Sequence, residues 1–422
     1  MSAEKKYYEI KNTYIQMGFG RGAVIYEPIE KDERSRTAIL VMHSDGDYYG
    51  FIPCPELAKR GFTVMGANVH ESKSPLYKKI QDVGFFADYL RNLPDIDRVI
   101  LLGHSGGATL MSCYQAVAEN GAKIFQDEGR IYKMPDIDPL TPAEAVMFLD
   151  TNWGNGVMNI LSVNPMIIDE DDPTKLNKEL DPYAPENGFT PEGSTYSEEF
   201  VAKYNKAQEE RFNRIRETAL ARAAVLDAGE GYYDDDEPLI IHCGTQLAPN
   251  NRLFPQDIRY LNHTKEAYDL IHADGSITNE IVHTRRPAKF AKSVDRNCGM
   301  SCEVTTVRTY VSGSTIRSNG YRITETEVLG IDWDSAYCAT PGNIQHISAP
   351  MLLMGMTGGY EFLASEVAYQ NAKKTNDKTI AFVEGATHNF RPEKDAEKFP
   401  GEFGDTVKNT FDFVADWILA RF

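Results

Sequence analysis

Short apolar runs alternate with helix-like stretches over roughly the first third of the chain. The runs predicted as strands are 23–26, 37–42, 62–67, 98–102 and 143–149. Helix-like stretches at 54–60 and 80–92 lie between them. Strands that are apolar throughout and alternate with helices are typical of a parallel sheet covered on both faces. The pattern therefore predicts an α/β fold with a mostly parallel central sheet.

The middle of the chain loses this alternation. It is polar and interrupted by Pro and Gly, with one long amphipathic helix predicted over 197–225 and short strands over 304–311 and 318–324. Such a segment is expected to form an inserted cap.

The alternation returns near residue 349. Strands are predicted over 349–355 and 379–383, and helices over 365–374 and 405–421. We therefore expect a discontinuous core domain, 1–152 and 345–422, with residues 153–344 inserted as a cap or lid domain.

One serine lies where a strand meets a helix. Gly103-His104-Ser105-Gly106-Gly107 follows strand 98–102 directly and opens a helical stretch. Glycines on both sides leave room for a sharp turn, which holds the serine hydroxyl clear of the sheet. The amide of Gly106 and the helix dipole can stabilise an oxyanion there. The motif in this context predicts Ser105 as a nucleophile.

With this motif the chain resembles the α/β-hydrolase superfamily, in particular its serine esterases and lipases, over about 1–152 and 345–422. The resemblance implies the α/β-hydrolase fold and a catalytic triad. In the family the catalytic histidine lies on the loop after the last strand, which here reads Gly385-Ala386-Thr387-His388-Asn389-Phe390. A loop at the carboxyl edge of the sheet gives a general base the reach it needs. His388 is the predicted base.

The resemblance leaves two candidates for the triad acid. Glu361 is the first carboxylate after strand 349–355, where the family usually places the acid, although most relatives carry Asp nearer to the strand. Asp150 ends strand 143–149, which supplies the acid in some members of the superfamily. Glu361 is favoured, and Asp150 is the alternative.

The loop after the second core strand is the candidate oxyanion loop. Relatives usually show His-Gly there, and a backbone amide just beyond gives the second oxyanion donor. This chain has His43-Ser44-Asp45 instead. We expect the amide of Ser44 or Asp45 to donate together with that of Gly106.

Three neighbouring side chains are candidates for substrate binding. Tyr48 and Tyr49 follow the oxyanion loop and could line the acyl pocket. His104 precedes the nucleophile and is expected to pack beside it.

The resulting interpretation is a serine hydrolase that cleaves a carboxylic ester, lactone or amide of a small or medium organic molecule through an acyl-serine. Haloalkane dehalogenases and epoxide hydrolases of the superfamily attack with an aspartate, so Ser105 favours acyl chemistry. An acyltransferase or a carbon–carbon bond hydrolase with the same triad stays open, as does a non-catalytic ligand-binding protein on the same fold.

No cofactor or metal is expected. Cys298 and Cys302 form one C-x₃-C without the second pair of a zinc site. The glycine-rich motifs of nucleotide-binding loops do not occur in the sequence.

The composition of the chain limits which binding partners and which cellular compartment are expected. A formal net charge of −18 over 422 residues disfavours a nucleic-acid partner. No apolar run reaches the roughly 18 residues of a membrane span. The N-terminus lacks a secretory signal, and the 6 scattered cysteines suggest reduced thiols. We expect a cytoplasmic protein with a small-molecule substrate; a homodimer stays open.

Overall fold

The computed structural model describes residues 5–18, 20–244, 252–288 and 302–422. In the N-terminal part the elements are β1 (Ile10–Gln16), β2 (Gly22–Pro28), β3 (Thr37–Met42), α1 (Pro53–Ala58), β4 (Thr63–Ala67), α2 (Leu76–Arg91), β5 (Arg98–Ser105), α3 (Gly106–Asn120) and β6 (Ala145–Thr151). The middle part contains α4 (Asn155–Ser162), α5 (Glu198–Asp227), β7 (Pro238–His242), β8 (His263–Ile271), β9 (Ile277–His283), β10 (Cys302–Thr306), α6 (Val307–Gly313), β11 (Arg317–Ile323), β12 (Val328–Asp332) and α7 (Thr340–Asn343). The C-terminal part contains β13 (Met351–Met356), α8 (Phe362–Asn371), β14 (Lys378–Val383) and α9 (Thr406–Leu419).

A ten-stranded sheet in the order β1-β2-β4-β3-β5-β6-β13-β14-β8-β9 forms the centre of the described structure. The pairs from β4 to β8 are parallel, whereas β1–β2, β2–β4 and β8–β9 are antiparallel. No helix in the described ranges is both long and apolar enough to cross a membrane.

Both faces of the sheet are buried, which explains why its strands are apolar without interruption. Successive side chains of a strand point to opposite faces. Leu40 and Leu101 accordingly pack in the cluster that includes α2 and α3, while Val41 and Leu102 pack in the cluster that includes α1 and α9. The predicted fold class is confirmed, because this is the layering and strand order of the α/β-hydrolase fold.

The predicted cap differs from the structure in one stretch. Residues 263–283 fall within the predicted insertion 153–344, yet they form β8 and β9 of the central sheet. β8 pairs in parallel with β14, with Asp269 opposite Ala381. β9 is the edge strand and six of its seven residues are exposed, so its sequence lacks the continuous apolar run of the buried strands.

A second difference concerns the strand predicted over 304–311. The strand β10 ends at Thr306, and α6 begins at Val307. Val307, Tyr310 and Val311 are buried together, and their spacing is that of one helix face. An apolar run this short fits either a strand or a helix, so tertiary packing decides between them.

The helix α5 organises the inserted segment. Its N-cap residue is Ser197, whose hydroxyl accepts a hydrogen bond from the amide of Phe200. Its buried side chains include Phe200, Tyr204, Phe212 and Ile215, as their helical spacing predicts. This one helix therefore supplies much of the apolar surface that holds the insertion together.

Arg211 of α5 is fully buried and joins three parts of the insertion. Its guanidinium donates to both carboxylate oxygens of Glu170 at 2.8 Å and to the carbonyl oxygens of Asn164 and His242. His242 ends β7, which pairs with β10. Arg211 therefore fixes the strand pair that forms one wall of the cavity described below.

Replacement of Arg211 by Met should lower the free energy of unfolding by about 2–4 kcal/mol, since two buried carbonyls and a carboxylate lose their donors. Urea unfolding of the full chain measures the change. Arg214→Met, at an exposed position on the same helix, is the control and should unfold like the unmodified protein. Equal stability of the two variants would contradict the assigned role.

Candidate active site

Ser105 lies at a strained turn at the carboxyl end of β5. Its φ is 55° and its ψ −126°, a backbone conformation that L residues rarely adopt. A Cβ on Gly103 would lie 2.5 Å from the carbonyl oxygen of Gly107, and one on Gly107 would lie 2.4 Å from that of Met42. Both glycines are therefore required by close backbone approach, and the turn has the geometry of a nucleophile elbow.

His388, on the loop after β14, contacts two carboxylates through one nitrogen. Its Nδ1 lies 2.6 Å from Asp150 Oδ2 and 2.7 Å from Glu361 Oε2. Only the Asp150 contact also has the alignment of a hydrogen bond. The amide of Met356 donates to the other oxygen of Asp150 at 2.8 Å, which holds this carboxylate in place. Both candidate acids thus meet at the same imidazole.

The two carboxylates raise the pKa of the His388 imidazole. Burial lowers its pKa, but Glu361 and Asp150 outweigh that effect and raise the pKa to about 10. Burial raises the pKa of Asp150, which is fully enclosed. The pKa of Glu361 is lowered, because the charges of His388 and Arg252 outweigh its burial. The imidazolium is therefore the favoured form of this histidine at neutral pH.

The same three residues also have the spacing of a metal site. One ligand atom from each of Asp150, Glu361 and His388 lies within 4.8 Å of the others. Two carboxylate oxygens and an imidazole nitrogen would suit a divalent cation. A proton on His388 Nδ1, which both carboxylates contact, accounts for the same arrangement of the three groups without a metal ion.

Tyr48 and His104, two of the side chains predicted to bind substrate, form a chain of hydrogen bonds to the backbone of the His388 loop. Tyr48 and His104 are buried, with the Tyr48 hydroxyl 2.7 Å from His104 Nδ1 and His104 Nε2 2.7 Å from the carbonyl oxygen of His388. His104 must donate that second bond, so its Nδ1 accepts from Tyr48. Among the described residues, the Ser105 hydroxyl has no hydrogen bond to His388; such bonds are often long before substrate binds.

Tyr48 and Tyr49, the candidates for the acyl pocket, do not line the cavity that contains Ser105, and neither does His104, which was expected to pack beside the nucleophile. Tyr48 and His104 face each other beneath the histidine loop. Tyr49 lies beside Tyr14 of β1, and its carbonyl accepts a hydrogen bond from Tyr26.

The oxyanion loop is folded around the ring of His43. The amides of Asp45 and Gly46 donate to His43 Nδ1 at 3.0 and 2.8 Å. The Asp45 carboxylate accepts from the Ser44 hydroxyl at 2.7 Å and from Lys79 Nζ at 2.9 Å. The amide of Asp45 is therefore already used, whereas no hydrogen bond in the described part of the chain uses the amide of Ser44.

These contacts fix the tautomer of His43. A ring nitrogen that accepts from two amides carries no proton, so the proton of the neutral ring is on Nε2. Burial lowers the pKa of His43 to about 4, which keeps the ring neutral. A Cβ on Gly106 would lie 3.0 Å from His43 Nε2 and 2.9 Å from Ser44 Oγ. Because Gly106 has no side chain, the position that a Cβ would take is open, and the Nε2–H group of His43 lies beside it.

Ser105 opens into a cavity of about 630 Å³ between the core and the insertion. Its walls include Ser105, Gly106, His43, Asp45, Lys79, Asn152, Asn155, Arg252, Cys302, Glu303, Thr309 and Glu361. The sequence did not indicate Lys79, Arg252 or Glu303 as site residues, because no motif marks them and the insertion has no regular pattern. Cys298, the other half of the C-x₃-C pair, lies outside the described residues.

The comparisons with known proteins give structural likeness only. No family model and no curated protein matches the chain. Esterase B from Lactobacillus rhamnosis is similar at 11% identity and a TM-score of 0.39, over 99% of this chain and 88% of that one. Brefeldin A esterase, a bacterial homologue of human hormone-sensitive lipase, is similar at 11% identity and a TM-score of 0.41, over 100% and 80%. The fold assignment rests on the strand order and serine turn of this chain.

Replacement of Glu361 by Gln should lower the pKa of His388 by about 1–3 pH units, because it removes a carboxylate that stabilises the imidazolium. Asp150→Asn should lower it as well. NMR titration of the imidazole Cε1–H between about pH 6 and 11, after dialysis against EDTA, measures both changes. Glu280→Gln, on exposed β9, is the control. An unchanged titration in Glu361→Gln would show that Glu361 does not act on this ring.

Proposed function

We propose that this protein is a serine hydrolase that cleaves a carboxylic ester of a small or medium organic molecule through an acyl-serine. One observation carries the proposal: Ser105 stands at a strained strand-to-helix turn that opens into a cavity, at the same sheet edge as a histidine held by buried carboxylates. Strain of this kind at a cavity wall is typical of functional residues. The cavity volume suits a single small or medium molecule.

In the proposed reaction His388 Nε2 takes the proton of the Ser105 hydroxyl as Oγ attacks the ester carbonyl carbon. The tetrahedral intermediate collapses when His388 returns that proton to the leaving alcohol, which breaks the C–O bond. Water then attacks the acyl-serine while His388 accepts one of its protons. The second collapse releases the carboxylic acid and restores the Ser105 hydroxyl.

The two carboxylates have different parts in this proposal. Asp150 accepts the Nδ1 proton and so keeps Nε2 directed at the reaction, which is the orienting role of a triad acid. Glu361 adds negative charge beside the same ring and stabilises the imidazolium that forms during each step. The base must be neutral before it can act, so turnover should rise with pH towards the raised pKa of His388; assays at about pH 8.5 keep a minor neutral fraction on the alkaline side of neutrality.

Three donors are proposed for the oxyanion. The amide of Gly106 is one of the first in α3 and has no partner within the helix. His43 Nε2, which carries the ring proton, borders the space above Gly106. The amide of Ser44, which no hydrogen bond among the described residues uses, is the third proposed donor. Asp45, expected from sequence as a donor, instead uses its amide to hold His43 in the required tautomer.

A fluorophosphonate probe should label the unmodified protein, and Ser105→Ala should remove both labelling and turnover of p-nitrophenyl esters. The reason is that only an activated hydroxyl displaces fluoride from phosphorus. Mass spectrometry of the labelled peptide identifies the modified residue. Ser72→Ala, at an exposed position in the wall of the same cavity and without a proposed role, should still be labelled. Labelling of both proteins at another residue would overturn the proposal.

Replacement of His43 by Asn should lower kcat for ester hydrolysis by about 10²–10³, with little change in KM, because the lost donor acts on the transition state. The Asn amide oxygen can still accept from the loop amides. His43→Gln reverses the test, since its amide nitrogen can occupy the position of Nε2; it should keep more of kcat than Asn. Equal kcat losses in both variants would indicate that His43 only shapes the loop.

A further inference from the structure

Glu303 presents a carboxylate to the cavity that contains Ser105. It lies within β10, opposite Ile241 of β7, on the wall supplied by the insertion. Among the described residues, no Lys, Arg or His lies within ion-pair distance of it. The Asn159 side-chain amide, when its oxygen and nitrogen are exchanged, donates to Glu303 Oε2 at 3.1 Å.

The cations that line the cavity have other contacts or face solvent. Lys79 donates to Asp45 at 2.9 Å. Arg252 donates to Ser162 and Tyr360, and its charge lowers the pKa of Glu361. Lys73 is exposed at the rim, where water and salt screen its charge. Glu303 therefore has no ion-pair partner among the described residues, and its charge is offset only in part by that of Lys79, which is already paired with Asp45.

A half-buried carboxylate that faces a cavity without an ion-pair partner loses part of its hydration, which is unfavourable for its charge. Burial, with a further contribution from Asp45, raises the pKa of Glu303 to about 7. Above that pH the charge persists in a partly desolvated cavity, where it attracts a cation more strongly than it would in water. A ligand that brings a positive charge and N–H donors to this wall would remove the penalty.

On these grounds we propose that the cavity binds an ester that also carries a protonated amine, with Glu303 accepting the N–H bonds of the ammonium group. This inference rests on the proposed hydrolase function, since it places the cation and the scissile ester on one molecule. A carboxylate or phosphate on the substrate would be repelled by Glu303. A purely apolar acyl chain would leave the carboxylate buried without a counter-charge.

Two matched series of p-nitrophenyl esters test the proposal at pH 8.5, where Glu303 is ionised and a primary amine is protonated. One series has ω-aminoacyl chains of increasing length, and the other has alkanoyl chains in which CH₃ replaces the ammonium. The unmodified protein should prefer the aminoacyl ester at the chain length that reaches Glu303. In Glu303→Gln the ratio of the two kcat/KM values should fall by about 10- to 100-fold at that length.

Glu210→Gln is the matched control, because Glu210 is an exposed residue of α5 in the same insertion. It should keep the unmodified ratio at every chain length. Equal ratios in the unmodified protein, Glu303→Gln and Glu210→Gln would overturn the amine proposal while hydrolysis itself stands.

A binding measurement decides the matter if no ester is turned over. Calorimetric titration with hexylammonium chloride and with hexan-1-ol should show tighter binding of the ammonium, and Glu303→Gln should remove that difference. Absence of the difference in the unmodified protein would overturn the amine proposal. Absence of fluorophosphonate labelling would instead overturn the hydrolase function, so the two failures are distinguishable.

Discussion

Parallel pairing brings the carboxyl ends of β5, β6, β13 and β14 to one edge of the sheet, and the whole candidate site is built on that edge. Ser105 ends β5, Asp150 lies at the end of β6, and Glu361 and His388 follow β13 and β14. Residues more than 280 positions apart along the chain, such as Ser105 and His388, come to the same edge because adjacent parallel strands end together. The apolar layers on both faces of the sheet keep these ends in register.

Charge is distributed over this edge in a way that favours one protonation state at each histidine. His388 lies against two carboxylates, which stabilise its cation. His43 is buried and accepts from two amides, which keeps it neutral with its proton on Nε2. The groups that surround the two imidazoles thus suit them to the different tasks proposed for them, a proton carrier and a fixed donor.

The inserted segment supplies part of the cavity wall. Arg211 ties the end of β7 to Glu170 and Asn164, and β7 in turn holds β10, so the position of Glu303 depends on a buried cation on α5. A carboxylate on such a fixed strand can select a substrate by charge, because it cannot turn away to solvent at no cost. The residues of the proposed serine chemistry belong to the core, and the residue proposed to select the substrate belongs to the insertion.

The sequence by itself determined the fold class, the turn at Ser105 and the position of His388 after the last strand of the parallel core. These features are local: continuous apolar runs, glycines that permit a sharp turn, and a loop after a strand can all be read within a few residues. The long amphipathic helix of the insertion could be read in the same way.

Only the tertiary structure decided the contacts that depend on distant parts of the chain. The sequence left Asp150 and Glu361 as alternatives, and the structure brings both to one nitrogen, because strand order rather than spacing sets that distance. In the structure the amide of Asp45 donates a hydrogen bond to His43 and is not free for an oxyanion. The structure also places β8 and β9 in the central sheet. Glu303 had no signal in the sequence, since a lone glutamate in a polar insertion becomes a cavity wall only through packing.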